Sequence, residues 1–381
     1  MVSRVMCRTK TVKLHQGRSL GKTLARATEI LESGGVVAFP TDTVYGLGAL
    51  ATETRAIERI YRIKGRDRSK PLVLFLADSE SLARWTDGVS DDVVRLVEEH
   101  WPGPLTLILR ASSEVPEAII SSAGNIGIRV PGHQPLRALL SGLSSPLATT
   151  SANLSGKPAS RSAKEVGSVL GREVDLILDG GSAGRTVEST VVDLSRSPAH
   201  LVRRGAVPLE DVERSLGAEC NVEDRLTVLF VCTGNLCRSP MAEGLFRARL
   251  DRVLARQVVV ASAGAAAIAG EPPTENAIMV VSERGVDIRS HSSRPLNARL
   301  VREADIILCM EPYHRERVLE LEPGGESKVY LLKQLAGGKG SVEDPIGGDL
   351  DVYRSTCDEI ENTLDAVVGK VTRLVRREEG K

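Results

Sequence analysis

Cys232 is followed after five intervening residues by Arg238, and then by Ser239 and Pro240. A thiol and a guanidinium at that spacing suit phosphoryl chemistry. The connecting residues Thr233, Gly234, Asn235, Leu236 and Cys237 are enough to curl around a tetrahedral anion, and the planar Arg238 fork matches phosphate oxygens. The run Thr227 to Val231 reads as a strand and Pro240 as the opening of a helix. Backbone N–H groups at that helix start would converge on the anion and favour a thiolate at Cys232. Gly234 is expected to supply backbone freedom at the tight curve. Ser239, next to the arginine, is placed to hydrogen-bond the thiolate and help it leave. Cys237 reads equally as an inert core thiol or as a partner that captures Cys232 in a reversible disulfide.

The first half of the chain carries a different set. Pro40-Thr41-Asp42-Thr43-Val44-Tyr45-Gly46-Leu47-Gly48 follows a strand, and Lys64-Gly65-Arg66, Lys70-Pro71-Leu72, Ser151-Ala152-Asn153 and Glu188-Ser189-Thr190 come later. These read as loop-borne polar groups. Lys64, Arg66, Arg68 and Lys70 put four positive charges into seven residues, enough to neutralise a triphosphate or a stretch of nucleic-acid backbone. A solvated basic loop is the plain alternative.

Two layered α/β domains are needed to hold these residues. Leu20, Leu24, Ala27 and Leu31 fall at helical spacing, and Gly34-Gly35 stops that helix before the strand Val36 to Phe39. Helix and strand then alternate: a helix with Ile57, Ile60 and Tyr61, a buried strand at Pro71 to Leu76, and further elements at Val93 to Val97, Leu105 to Leu109 and Ile126 to Val130. Thr190 to Leu194, His200 to Val202 and the helix Leu209 to Leu216 close the first domain, 10–216. Residues 217–225 are short, polar and charged, and read as a linker. The second domain, 226–376, has a helix from Pro240 to Leu254, a strand at Val258 to Ala261, a helix from Thr274 to Arg284 and a strand at Ile306 to Cys309. It ends in a helix with Tyr353, Cys357, Ile360, Leu364, Val367, Val371 and Leu374 along one apolar seam. A length of 381 residues suits two cores better than one. Lys plus Arg equals Asp plus Glu at 50 each, so affinity for RNA has to come from a local patch. Only 3% of residues are aromatic, which argues against a base-stacking platform. The stretch MVSRVMCRTKTVKLHQ has no long apolar run, and six scattered cysteines form no disulfide framework. The expectation is a cytoplasmic protein with no membrane span and no resident metal.

The stretch VCTGNLCRSPMAE resembles the active-site loop of low-molecular-weight protein tyrosine and arginine phosphatases, over about residues 226 to 376. The resemblance implies a Rossmann-like parallel sheet flanked by helices, and a phosphocysteine intermediate at Cys232 formed from a phosphoprotein. Asp344, in Glu343-Asp344-Pro345, takes the place of the family's general acid. Tyrosine-specific members carry an aromatic residue where this chain has Ile346, and arginine phosphatases carry threonine where it has Leu236. Both phosphotyrosine and phosphoarginine therefore stay open as substrates.

The ordered set PTDTVYGLG, KGR, WPGPLT at Trp101 to Thr106, Arg129, SAN and ESTVVD resembles the Sua5/YrdC family of threonylcarbamoyl-AMP synthases, over about residues 10 to 216. It implies a twisted open sheet with helices and condensation of L-threonine, bicarbonate and ATP, with Mg²⁺, to threonylcarbamoyl-AMP and pyrophosphate. A separate transferase, and tRNA, would take the product. Lys64, Arg66, Ser151 and Asn153 would form a polar tetrad around the nucleotide, with Lys70, Asn125 and Arg203 as further ATP contacts. Thr41 or Thr43, Arg129, Ser151 and Ser189 would hold threonine. The chain departs from the family pattern at Asp67, where proline is usual, at Phe75, where many members have histidine, and at Arg204, where the R-P-G proline would stand. A competing reading makes the first domain an RNA-binding module that recruits the phosphatase.

Overall fold

The computed structural model describes residues 9–14, 18–183 and 187–376. Most of the N-terminal stretch read for targeting signals, 1–8 together with 15 and 16, lies outside the described residues. The chain divides into two compact units, Met1–Glu223 and Asp224–Lys381.

In the first unit, β1 (Lys10–Lys13), β2 (Val37–Phe39), β3 (Gly46–Leu50), β4 (Val73–Phe75), β5 (Leu105–Arg110), β6 (Asn125–Arg129), β7 (Leu147–Ser151), β8 (Leu176–Asp179), β9 (Thr190–Asp193), β10 (His200–Arg203) and β11 (Asn221–Val222) form one mixed sheet. Its order is β1-β8-β2-β3-β7-β4-β6-β5-β9-β10-β11. Ala27 and Leu31 of the helix Arg18–Glu32, and Leu136, Leu139 and Leu140 of the helix Gln134–Leu140, pack on Phe39, Leu147, Leu176 and Leu178. The close approach of strands explains two glycines of the PTDTVYGLG segment. A Cβ at Gly46 would lie 2.6 Å from the Phe39 ring, and one at Gly48 would lie 3.1 Å from both Phe39 and Thr149. The last three residues of that segment are thus strand rather than loop, and Ser151 sits on the last position of β7.

The second unit is a parallel sheet of β12 (Leu226–Cys232), β13 (Val258–Gly264), β14 (Ile306–Cys309) and β15 (Val329–Leu331), in the order β13-β12-β14-β15. Side chains of β12 alternate between faces, as the period of a strand requires. Val228 and Phe230 join the core formed with the helices Arg238–Arg249 and Leu350–Val375, and Leu229 and Val231 join the one containing Val301 and Val318. Tyr353, Cys357, Ile360, Leu364, Val367 and Val371 are buried along the terminal helix as their spacing describes, whereas Leu374, expected to close the seam, is exposed and Val375 is buried in its place.

Three further expectations differ from the structure. Asn221 N donates to Ala199 O at 2.8 Å and Glu223 N to Leu201 O at 3.0 Å, so the polar stretch read as a linker contributes β11 to the first sheet. The helix expected from Pro240 to Leu254 starts at Arg238, ends at Arg249 and restarts at Arg252, because Asp251 caps the second piece by accepting from Val253 N and Leu254 N. Pro71, Leu72 and Leu76 fall outside β4. No helix among the described residues is long and apolar enough to cross a membrane.

Candidate active sites

In the first unit a cleft of about 170 Å³ is lined by Thr41, Thr43, Arg66, Arg129, Ser151, Ser189 and Arg203 among the residues expected from sequence. Arg129, at the end of β6, is 3% exposed. Its guanidinium donates to Gly103 O at 2.9 Å, to Thr43 Oγ1 at 3.2 Å and to Asp42 Oδ1 at 2.6 Å, and it lies 5.5 Å from the centre of the Phe75 ring. Burial pushes Arg129 down from its usual range, and Asp42 opposes that. Phe75, standing where a histidine was usual, thus offers a ring face to the cation. Thr41 is tied to Thr43 at 2.9 Å and donates to Val44 O at 2.7 Å, which fixes the turn leaving β2.

On another wall, Ser189 Oγ lies 2.8 Å from Thr106 Oγ1 and accepts from Arg203 at 3.0 Å, while Arg203 also reaches Glu188 at 3.2 Å. Residues 203–205 press on the 189–190 backbone so tightly that a Cβ at Gly205 would lie 2.2 Å from Thr190 N. Lys64 is 2% exposed, and its ammonium donates to Ser151 O, to Asn153 O at 2.7 Å and to Asn153 Oδ1 at 3.0 Å. Burial first, then Arg66, pushes Lys64 down to about 7, with Glu188 opposing. Three acceptors match the three protons of the charged form. Ser151 Oγ donates to Asn153 Oδ1 at 2.6 Å, so Lys64, Ser151 and Asn153 form one connected group.

Two expected residues stand apart from this cluster. Asn125 begins the strand that Arg129 ends, so at about 3.3 Å per residue their Cα atoms are roughly 13 Å apart. Asn125 Nδ2 donates to Ser195 Oγ at 2.8 Å. Lys70 is exposed, and its carbonyl accepts from Arg66 Nε at 2.8 Å. Asp67 is exposed and caps its own turn through Ser69 N at 2.9 Å, which holds its carboxyl below the usual range. Arg204 is buried at 7% exposure. Sequence reasoning quoted Asp42, Thr106 and Glu188 within motifs but gave them no role. Each turns out to tie down an expected residue.

In the second unit Cys232 ends β12 and Cys237 directly precedes the helix Arg238–Arg249, so Arg238, Ser239 and Pro240 form its first turn. Proline is tolerated there because the first N–H groups of a helix have no partner inside it. Cys232 Sγ lies 2.9 Å from Ser239 Oγ and accepts from Asn235 N at 3.2 Å. The left-handed residue of the loop is Asn235, with φ 58°, and not Gly234, where an added Cβ would meet Leu236 at an ordinary 3.6 Å. Asn235 is fully buried and uses its whole side chain: Nδ2 donates to Ser239 Oγ at 2.8 Å and Ser262 Oγ at 2.9 Å, and Oδ1 accepts from Arg294 N at 2.9 Å. Those bonds hold an uncommon conformation.

Arg238 is 1% exposed and donates to Glu311 Oε2 at 2.7 Å, Val342 O at 2.9 Å, Thr233 Oγ1 at 3.2 Å and Asp344. Asp344 is brought there by Val342 N, which donates to Met310 O at 2.9 Å beyond the end of β14. Leu236 packs, half-buried, on the core. Cys237 Sγ lies 3.4 Å from Thr274 Oγ1 and 3.3 Å from Tyr353 Oη, and burial pushes its thiol up. Sequence reasoning missed Glu311, His314, Ser262, Thr274 and Tyr353. Glu311 had one available signal, its place just past the carboxyl end of a parallel strand, where sites of such sheets gather.

A family model for Sua5/YciO/YrdC proteins, described as telomere recombination, matches residues 29–205, and one for low molecular weight phosphotyrosine protein phosphatases matches residues 227–378. The threonylcarbamoyl-AMP synthase of Pyrococcus abyssi is 39% identical over 191 residues, which are 50% of this chain and 56% of that protein. That of Halorhodospira halophila is 34% identical over 173 residues, 45% of this chain and 90% of that protein. The chain spans about half the length of the first of these relatives. A solved structure, P. abyssi Sua5 complexed with L-threonine, matches with a TM-score of 0.55 at 27% identity, covering 67% of this chain and 92% of that one. The chain belongs to the Sua5/YciO/YrdC family through its first unit, and its second unit matches the model of the low molecular weight phosphotyrosine protein phosphatases.

Proposed function

We propose that the protein is a bifunctional cytoplasmic enzyme: its first unit makes threonylcarbamoyl-AMP from L-threonine, bicarbonate and ATP, and its second dephosphorylates phosphoproteins. The synthase reading rests on the cleft lined by buried Arg129 and by Ser151, behind which Lys64 and Asn153 are hydrogen-bonded. Arg129, Thr43 and Ser189 suit the carboxylate, hydroxyl and amine of an amino acid, and the similar P. abyssi Sua5 structure is a complex with L-threonine. Arg66 and Arg203, which line the cleft, suit the nucleotide phosphates, with the Lys64 charge buried behind Ser151. Attack of the threonine carbamate on the α-phosphorus breaks its bond to pyrophosphate, and fixed cations stabilise the charge that builds on the equatorial and departing oxygens. Among the described residues no group of three His, Cys, Asp or Glu could hold a metal, and Asp42 and Glu188 are each committed to an arginine. Mg²⁺ is therefore assigned to the ATP phosphates, with which it would arrive. The product would pass to a tRNA-modifying threonylcarbamoyl transferase for N6-threonylcarbamoyladenosine.

The phosphatase reading rests on the contact of Cys232 with Ser239 inside a loop closed by Arg238 and Asp344. Cys232 Sγ attacks phosphorus while Asp344 protonates the departing atom. Water, deprotonated by Asp344, then displaces the thiolate as phosphate forms, and Ser239 stabilises that thiolate. Ile346, 60% exposed beside Asp344, offers a phosphotyrosine ring no aromatic partner, which leaves phosphotyrosine and phosphoarginine both as candidate substrates.

Pyrophosphate release with ATP, bicarbonate and L-threonine tests the first activity. It is expected to require threonine, to fall about 10²-fold or more in Lys64→Ala, as loss of one charge-stabilising group does, and to survive in Cys232→Ser. Absence of threonine-dependent release from the wild type would sink the synthase reading and favour an RNA-binding module.

A further inference from the structure

His314 lies in the helix Pro312–Leu321, outside every motif used above, and is fully buried. Its Nδ1 accepts from Glu311 N at 3.1 Å. A backbone N–H can only donate, so Nδ1 carries a lone pair and the ring proton of the neutral imidazole sits on Nε2. Nε2 faces Thr233 Oγ1 at 2.9 Å, and therefore donates to it. Arg238 donates to the same oxygen at 3.2 Å. A hydroxyl oxygen has two lone pairs and one proton. With both lone pairs filled from His314 and Arg238, the Thr233 proton has to point away from them. Thr233 follows the nucleophile directly in the loop.

We propose, building on the phosphatase reading, that His314 is a positioning residue: as the Nε2–H tautomer it sets Thr233 as a hydroxyl donor to a phosphoryl oxygen held in the loop. The same ring fixes Glu311 through the backbone bond, and Glu311 in turn braces Arg238. The groups facing the ring are Arg238, Glu311, Asp344, Thr233 and Tyr313. Burial, with Arg238 as the next cause, pushes the imidazole down to about 4, in keeping with the neutral form.

Three variants separate the parts. Asn at 314 can keep the acceptor toward Glu311 N but has no donor at the Nε2 position, Gln can keep that donor, and Thr233→Val removes the hydroxyl. On the full chain with p-nitrophenyl phosphate, His314→Asn and Thr233→Val are each expected to lower kcat/KM about 100-fold, the lower end of the range for one lost oxyanion donor. His314→Gln is expected to recover most of the rate. In the Thr233→Val background His314→Asn should cost less than a further twofold, because the group it acts through is already gone. Tungstate affinity by calorimetry, which needs no turnover, should show the same pattern. A loss from His314→Asn that is equally large in both backgrounds, or absent from the wild type, overturns the proposal. A wild type that neither hydrolyses the aryl phosphate nor binds tungstate overturns the phosphatase reading itself, and the positioning role with it.

Discussion

The two sites are built in opposite ways. In the second unit one unbroken stretch, Cys232 to Ser239, supplies the thiol, the loop, the guanidinium and the helix N-terminus, and distant residues enter as braces on it: Asn235 to Ser262 and Arg294, and Arg238 to Glu311 and Asp344. In the first unit no stretch is sufficient. Thr43, Arg129 and Ser189 come from three separate parts of the chain, and each is held by a neighbour of its own: Thr43 by Thr41, Arg129 by Asp42 and Ser189 by Thr106. A contiguous site concentrates its chemistry on one atom, whereas an assembled cleft spreads its dependence over buried polar ties.

Removal of the one atom should show that contrast most strongly. Cys232→Ser is expected to lower aryl phosphate hydrolysis by about 10⁴-fold or more, as loss of a covalent nucleophile does. Melting of the second unit and pyrophosphate release should stay unchanged, and a parallel loss of pyrophosphate release would mean that the sites are not independent. The cleft should fail through stability instead. Arg129→Met leaves Asp42 without its buried partner and is expected to destabilise the first unit by about 3–5 kcal/mol in urea denaturation. A variant that stays as stable but loses only threonine affinity would make the cleft resemble the loop.

A third test uses pH. His314 is neutral in the folded state down to about 4, while the unfolded chain takes up that proton near 6.5. The unfolded state therefore binds more protons between these values, and stability of the second unit should fall as pH drops through that window, by up to roughly 3 kcal/mol. The slope should flatten in His314→Gln, and equal slopes in the two proteins would remove His314 as its source. The smallest effect is expected at Thr106→Val, which removes one hydrogen bond to Ser189. A rise in KM for threonine equivalent to about 1 kcal/mol is expected in the pyrophosphate assay, and no change would leave Ser189 dependent on Arg203 alone.

The same contrast explains how much was readable beforehand. The loop site was legible because its groups are neighbours in the chain and the strand Thr227 to Val231 carries its own pattern. One detail was misassigned, the left-handed residue, because Asn235 is held there by Ser262 and Arg294, partners 27 and 59 residues away. The cleft was legible only through resemblance. Nothing in the spacing of Asp42, Thr106 and Glu188 says which expected residue each would restrain, and Asn125 begins the strand whose far end enters the cleft.

By itself the sequence determined two α/β units, the strand–loop–helix segment that carries Cys232 and Arg238, and the helical seam from Tyr353 onward, since these depend on local periodicity and on groups a few residues apart. Only the tertiary structure decided that residues 221–222 complete the first sheet, that Glu311 and His314 stand behind Arg238 and Thr233, and which side chains meet in the cleft of the first unit. Those outcomes follow from strand order and from the need to pair every buried charge and hydrogen-bonding group, and both are settled among residues far apart in the chain.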